Sequence, residues 1–338
     1  MSRLLRNALY LLSFTPAIAV LYGNLHGSYF TSLNFIYSLI VLAIIEWITP
    51  PFTSNDHSEK GDVMPTFIIW MHVPVQILCV SSLFYGIHRG IIEGYWIISA
   101  ALSTGLNSGS SAIVVSHELI HRKNKFEQWL GKVLLFTAGN MYFYIDHLRV
   151  HHKWVGTEKD HATARKGESL YGFFIRSVSG QLQGAVKLEA ERLKKSGIAP
   201  YGLSNYVIQQ LLLLALLLFS IYLVIGISAV VAFAIQCFFA NFLLEYVNYI
   251  QHYGLTRHEK QRATEEHSWD CDQLVSRFVL VDLSRHADHH YYASKPYHTL
   301  VHYEKSPKLP TGYAGLFFIA AIPPLWRNVM HPRLPIND

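Results

Sequence analysis

Six apolar blocks, each close to the length of a bilayer-crossing helix, constrain this chain more than any other feature. They run about Ala8–Tyr22, Ser32–Ile48, Thr66–Tyr85, Ile91–Ser116, Val207–Ile225 and Ala229–Tyr249. A spanning helix needs roughly 20 predominantly apolar residues. The rest of the composition agrees, with 51% hydrophobic and only 15% charged residues. Soluble domains carry about 25% charged residues. Short connectors join the first and second blocks, the third and fourth, and the fifth and sixth, as in helical hairpins. The expected fold is an all-α integral membrane protein, a six-transmembrane-helix bundle with a histidine-rich cap at about 117–206 and 250–338.

Lys and Arg set the expected sidedness. Arg3 and Arg6 precede the first block, and the segments Arg149–Lys195 and beyond Arg257 are rich in both. The connector Gly23–Phe30 has neither, and the turn near His88 has only Arg89. The N-terminus and the cap are therefore expected in the cytoplasm, with the chain in the inner (cytoplasmic) membrane. Arg6, the apolar run and Ala17-Ile18-Ala19 imitate a cleavable signal, but an uncleaved first helix is the reading adopted. A seventh apolar stretch, Trp129–Ile145, would place histidines on opposite faces if it crossed, so it is expected to be re-entrant. The net charge of +5 reflects topology; no interleaving of basic and aromatic residues points to nucleic acid. Cys79, Cys237 and Cys271 are scattered and form no CxxC pair, so neither a disulfide framework nor a thiolate metal site is implied.

Nineteen histidines need a chemical reason, and nine fall into four clusters. His117-Glu118-Leu119-Ile120-His121 places two imidazoles at i, i+4, one above the other on a helix face. Asp146-His147-Leu148-Arg149-Val150-His151-His152 repeats that spacing with one more histidine beside it. His252 ends Asn248-Tyr249-Ile250-Gln251-His252, and His286-Ala287-Asp288-His289-His290 supplies the last three. Nine imidazoles exceed what one ion can bind, so at least two ions are implied. Imidazole suits zinc, copper, iron and nickel alike. HExxH also fits a zinc protease with Glu118 as base, but that reading leaves six histidines unexplained. A metal transporter would put its ligands near mid-membrane, whereas these lie at helix ends and in the cap.

Polar stripes inside membrane helices face the bundle interior. Asn107, Ser110, His117 and His121 are expected on one face of the fourth helix. Asn241, Glu245, Asn248 and His252 are expected on one face of the sixth. Asn107 and Asn241 are assigned to a substrate channel, and helix–helix hydrogen bonding is the alternative. Gly105 and Gly109 either let two helices approach closely or leave room for a narrow channel.

The set HELIH, DHLRVHH, NYIQHYG and LSRHADHH resembles the motifs of membrane alkane 1-monooxygenases and the related xylene monooxygenase hydroxylase component. The resemblance runs from about His117 onward and includes Gly167–Tyr171, His267–Trp269 and Leu309–Tyr313. The NYxxHYG element separates this group from fatty-acid desaturases, which share the other histidine logic. The resemblance implies two non-haem irons held by His117, His121, His147, His151, His152, His252, His286, His289 and His290. It implies terminal hydroxylation of alkanes drawn from the bilayer, using O2. Electrons would come from an NAD(P)H-dependent rubredoxin reductase through rubredoxin, a separate protein here since the chain has no CxxC pair. Glu245 and Asp288 are assigned catalytic roles, and Glu118, Asp146, Asp160, His161 and His267 are expected to support the ligands. Lys153, Arg165, Lys166 and Arg257 are candidates to dock an acidic carrier, or ordinary positive-inside charge. The chain departs from the family pattern at Asp146, Val150, Gln251 and Asp160-His161, where Glu, Gly, Glu and Asp-Pro are usual. Fatty-acyl desaturation or hydroxylation, and alkyl-aromatic methyl hydroxylation, are the rival enzyme readings.

Overall fold

A computed structural model describes residues 3–55 and 62–335; the last three residues assigned to the cap lie outside this range. The described residues form an almost wholly helical chain, with one isolated β-bridge between Asp270 and Lys308. Six helices are long and apolar enough to span a bilayer: α1 (Arg3–His26), α2 (Ser28–Ile48), α3 (Val63–His88), α4 (Trp96–His121), α7 (Tyr206–Val224) and α8 (Ile227–His252). They match the six blocks, but α4 starts five residues late and continues to His121. The first histidine pair therefore belongs to a spanning helix, and His252 is the last residue of another.

Between α4 and α7 lie α5 (Lys125–Thr137) and α6 (Leu170–Lys195). At 1.5 Å per residue, the 13 residues of α5 are too short to span. Gly131 lets α5 lie against α4, where an added Cβ would stand 2.8 Å from the Ile120 side chain. The chain then returns, and the rings of His121 and His147 meet with their Nε2 atoms 3.1 Å apart. Gln236 and Asn241 of α8 fasten the turn by donating to the carbonyls of Thr137 and Ala138. α6 is amphipathic, burying Leu170, Phe173, Ser177, Gln181 and Ala185 at helical spacing while packing against α8.

The spans are held by close backbone approach and by polar pairs. Gly105 faces α8 so closely that a Cβ would lie 2.7 Å from the Gln236 carbonyl oxygen; close approach is thus one role of the glycine pair. Asn107 donates to Gln76 of α3, and Gln76 donates to Ser108. Such interhelical hydrogen bonds supply association that lipid, as apolar as leucine, does not drive. The outward faces stay apolar, with Leu212, Leu216, Phe219 and Leu223 of α7 exposed.

The cap carries α9 (Leu274–Val279), α10 (His286–Tyr291), α11 (Tyr313–Ala321) and α12 (Pro323–Met330). It does not stay clear of the bundle. α11 turns back and packs on α2 and α8. Glu46 of α2 holds its first turn, accepting from the Gly315 amide at 3.0 Å and from the Ser276 hydroxyl. A carboxylate at a helix N-terminus satisfies amides that have no intrahelical partner.

Candidate metal centre

Three elements end where the nine imidazoles gather: α4, the segment after α5, and α8. α10 closes the set from the cap. The nine histidines fall into two groups whose ligand-type atoms lie within 4.8 Å of one another. His117, His121, His147, His152 and His289 form the first; His151, His252, His286 and His290 form the second. In the first, Nε2 of His147 lies 3.1 Å from that of His121 and 3.0 Å from that of His152. In the second, Nε2 of His286 lies 3.2 Å from that of His252 and 2.9 Å from that of His290.

The sharing is not what α-helical spacing predicts. His147–His151 is a π-helical turn, in which residue i meets i+5 rather than i+4. His147 therefore faces its first group with His152, and His151 is turned into the second. In α10, which is α-helical, His286 and His290 do share a group at i, i+4.

These residues fit a metal. The Nε2 atoms of His117 and His151 are buried with no hydrogen-bond partner, a state rare for polar atoms in folded proteins. Burial pushes His147, His152, His286, His289 and His290 well below the usual imidazole range, and neighbouring imidazoles push them further. All five are thus neutral, the form that ligates. No sulfur ligand enters either group.

The supporting residues divide sharply. Asp160 accepts from His151 Nδ1 at 2.9 Å and from Thr163 at 2.6 Å, fixing which ring nitrogen faces the centre. Burial opposes its ionisation, but His151 and Thr163 outweigh that and hold the carboxyl below the usual range. Asp146 is buried with Oδ1 unpartnered; burial, Asp160 and Glu245 push it well up. Glu245 accepts from Gln181 at 2.7 Å and stands behind the second group without bonding to a ring. Glu118 accepts from Arg122 and from the Tyr297 amide. His267 bonds with its Nδ1 to Thr264, and His161 packs over Gly180; neither ring joins a group.

Three assigned residues, Asp288, Asn107 and Asn241, have partners outside the imidazole groups. Asp288 was assigned a catalytic role, yet its carboxylate accepts from Lys295, the Val301 amide and Tyr303. These bonds fasten α10 to the following loop. Asn107 and Asn241 line neither apolar cavity. The π-helical turn Ser108–Ile113 adds a residue between Asn107 and His117, rotating the one face away from the other. Arg257 is likewise committed, donating to the carbonyls of Val155, Lys153 and Gln261.

An apolar cavity lies among α1, α2, α4, α8, α9 and α11. A smaller one adjoins it and is lined by His117, His147 and His286. The π-helical turns of α2 and α4 contribute Ser38, Leu39, Gly109 and Ser110 to the larger wall. Its polar side chains bond within the protein: Ser38 to Asn34, Ser110 to the Leu106 carbonyl, Tyr246 to the Tyr313 carbonyl. Glu46 was missed by the sequence reading, although an acidic residue inside an apolar block is itself a signal.

Fold and site together define a multi-pass membrane protein with two all-imidazole clusters that could hold metal. The fatty acid desaturase family profile matches residues 93–320. Alkane 1-monooxygenase 2 of Alcanivorax borkumensis is 38% identical over 270 residues, 78% of this chain and 71% of that protein. Alkane 1-monooxygenase 1 of Pseudomonas aeruginosa is 41% identical over 238 residues, 69% of this chain; the chain spans 62% of that relative's length. The xylene/toluene monooxygenase hydroxylase component of Pseudomonas putida is 30% identical over 264 residues, 76% of this chain and 70% of that protein. The chain belongs to the alkane 1-monooxygenase family, within the wider fatty acid desaturase family, and is a membrane monooxygenase.

Proposed function

We propose that this protein hydroxylates the terminal methyl group of alkanes to 1-alcohols, with two irons held by the nine histidines. The observation that carries this is the apolar cavity ending at His117, His147 and His286. Away from the rings, the hydroxyls of Ser38, Ser110 and Tyr246 in its wall are bonded within the protein, which leaves that part of the wall suited to a plain alkyl chain. The balance is RH + O2 + 2 H⁺ + 2 e⁻ → ROH + H2O. Iron, when bound, would supply the O2-activating chemistry that side chains lack.

The residues do the rest. His117, His121, His147, His152 and His289 would hold one ion, and His151, His252, His286 and His290 the other. Asp160 orients His151, and Glu245 fixes Gln181 and Asn248 behind the second group. The cavity walls exclude water and direct the chain end to the rings. Electrons arrive from rubredoxin, itself reduced by an NAD(P)H-dependent reductase. That carrier docks on the cap, where Lys153, Arg165 and Lys166 offer positive charge. The N-terminus and the cap face the cytoplasm from the inner membrane, as the distribution of Lys and Arg supports.

The test is product analysis of the purified protein, iron-loaded, with rubredoxin, its reductase, O2 and alkanes of graded length. Primary alcohols that disappear in His252→Ala support the reading. Untouched alkanes beside newly unsaturated acyl lipids would transfer it to the desaturase chemistry of the wider family. Oxidation confined to aromatic methyl groups would transfer it to the chemistry named for the Pseudomonas putida relative.

A further inference from the structure

We propose that Val114 and Val247 form a rigid neck that admits an unbranched chain end and holds back a branched one. This inference rests on the substrate reading above and adds the shape of substrate that the site takes. Among the described residues, Gly109, Val114 and Val247 line both the larger apolar cavity and the smaller one at the imidazoles. They are therefore the boundary that a chain crosses between the two.

The neck cannot yield readily. At Gly109 the wall is backbone, fixed where α4 crosses α8; a Cβ there would meet the Leu243 side chain at 2.9 Å. The two valines supply the side chains at the boundary. A β-branched residue on a helix keeps one dominant χ1 rotamer, so neither swings aside as a leucine or methionine would.

The neck also lies near the rings. Val114 precedes His117 by three residues of α4, roughly 4.5 Å of helix, and Val247 precedes His252 by roughly 7.5 Å. A methyl branch next to the reacting carbon must enter the neck. A branch several carbons away stays in the wider cavity.

One substrate tests this, since 2-methyloctane carries a linear and a branched end. The native protein is expected to yield the linear-end primary alcohol predominantly. Val114→Ala and Val247→Ala should each raise the ratio of branched-end to linear-end alcohol by about tenfold or more, the usual worth of a methylene-sized change in an apolar pocket. The ratio is internal to one substrate, so partial loss of protein does not disturb it. A ratio unchanged within about twofold in both variants overturns the neck.

Should the alanine variants fail to fold, Val247→Phe decides. It should retain bound metal while losing octane turnover at least about tenfold; full turnover overturns the proposal. If the native protein oxidises no linear alkane across a graded series, the substrate reading has failed and the neck falls with it. Octane oxidised with an unmoved ratio means that only the neck has failed.

Discussion

His147 and His152, five residues apart, bring their Nε2 atoms to 3.0 Å on a single π-helical turn. His151, at the α-helical spacing of four from His147, faces the other group and is held there by Asp160 at 2.9 Å. One inserted residue thus lets a short segment feed two pockets at once. Deleting Leu148 should return the turn to α-helical geometry, leaving the His147–His152 pair at a spacing of four and turning His151 out of its group. Metal bound per chain, measured by elemental analysis, should fall by about half, since a pocket short of one of four ligands binds poorly. Unchanged metal content would refute this partition.

Asp160 acts on the metal site through His151. Asp160→Asn keeps the shape but removes the charge that fixes the imidazole tautomer. Loss of such a supporting carboxylate costs about 10–100-fold in metal affinity. Release of iron to a chelator, followed optically, should accelerate by a factor in that range. Release at the native rate would mean that the hydrogen bond is merely structural.

Gly105 sets the distance between α4 and α8. Gly105→Ala places a Cβ against the Gln236 carbonyl and Cα, so the spans must separate. Overpacking of this kind costs about 1–3 kcal/mol. A lowered thermal midpoint of the detergent-solubilised protein is expected, and metal retention should fall with it because both helices carry ligands. An unchanged midpoint would show that the crossing tolerates a methyl group.

His298 sits buried with neither ring nitrogen partnered. Burial first, then Arg122 and Arg6, push it down to about 4. Because the folded value lies below the ordinary one of about 6.5, the unfolded chain takes up the proton first. Above pH ~6.5 the group costs nothing through this linkage; as pH falls from there to about 4, folding stability is lost, by about 3 kcal/mol in all. His298→Phe should flatten this acid limb of the stability profile, read as thermal midpoint against pH. Parallel acid limbs in the two proteins would exclude the group.

The six long apolar helices and the nine histidines that gather were legible in the chain because each is written locally. Apolar runs declare their own solvent, and His117–His121 and His286–His290 keep an ordinary helical spacing. The partition of the second cluster was not legible, since no residue type announces a π-helical turn; packing around His147–His151 imposes it. The same limit misplaced Asn107, whose face is rotated by the turn Ser108–Ile113. Asp288 stands between two histidines in sequence, but its direction depends on Lys295, Val301 and Tyr303, which only folding brings to it. The apolar cavity needed the return of α11 onto α2 through Glu46, a contact across 269 residues. The sequence by itself determined which elements form and which side chains can bind metal, because propensity, hydropathy and ligand chemistry act over a few residues. Tertiary structure alone decided which imidazoles share a pocket and what shape of chain reaches them, because both depend on how distant helices pack.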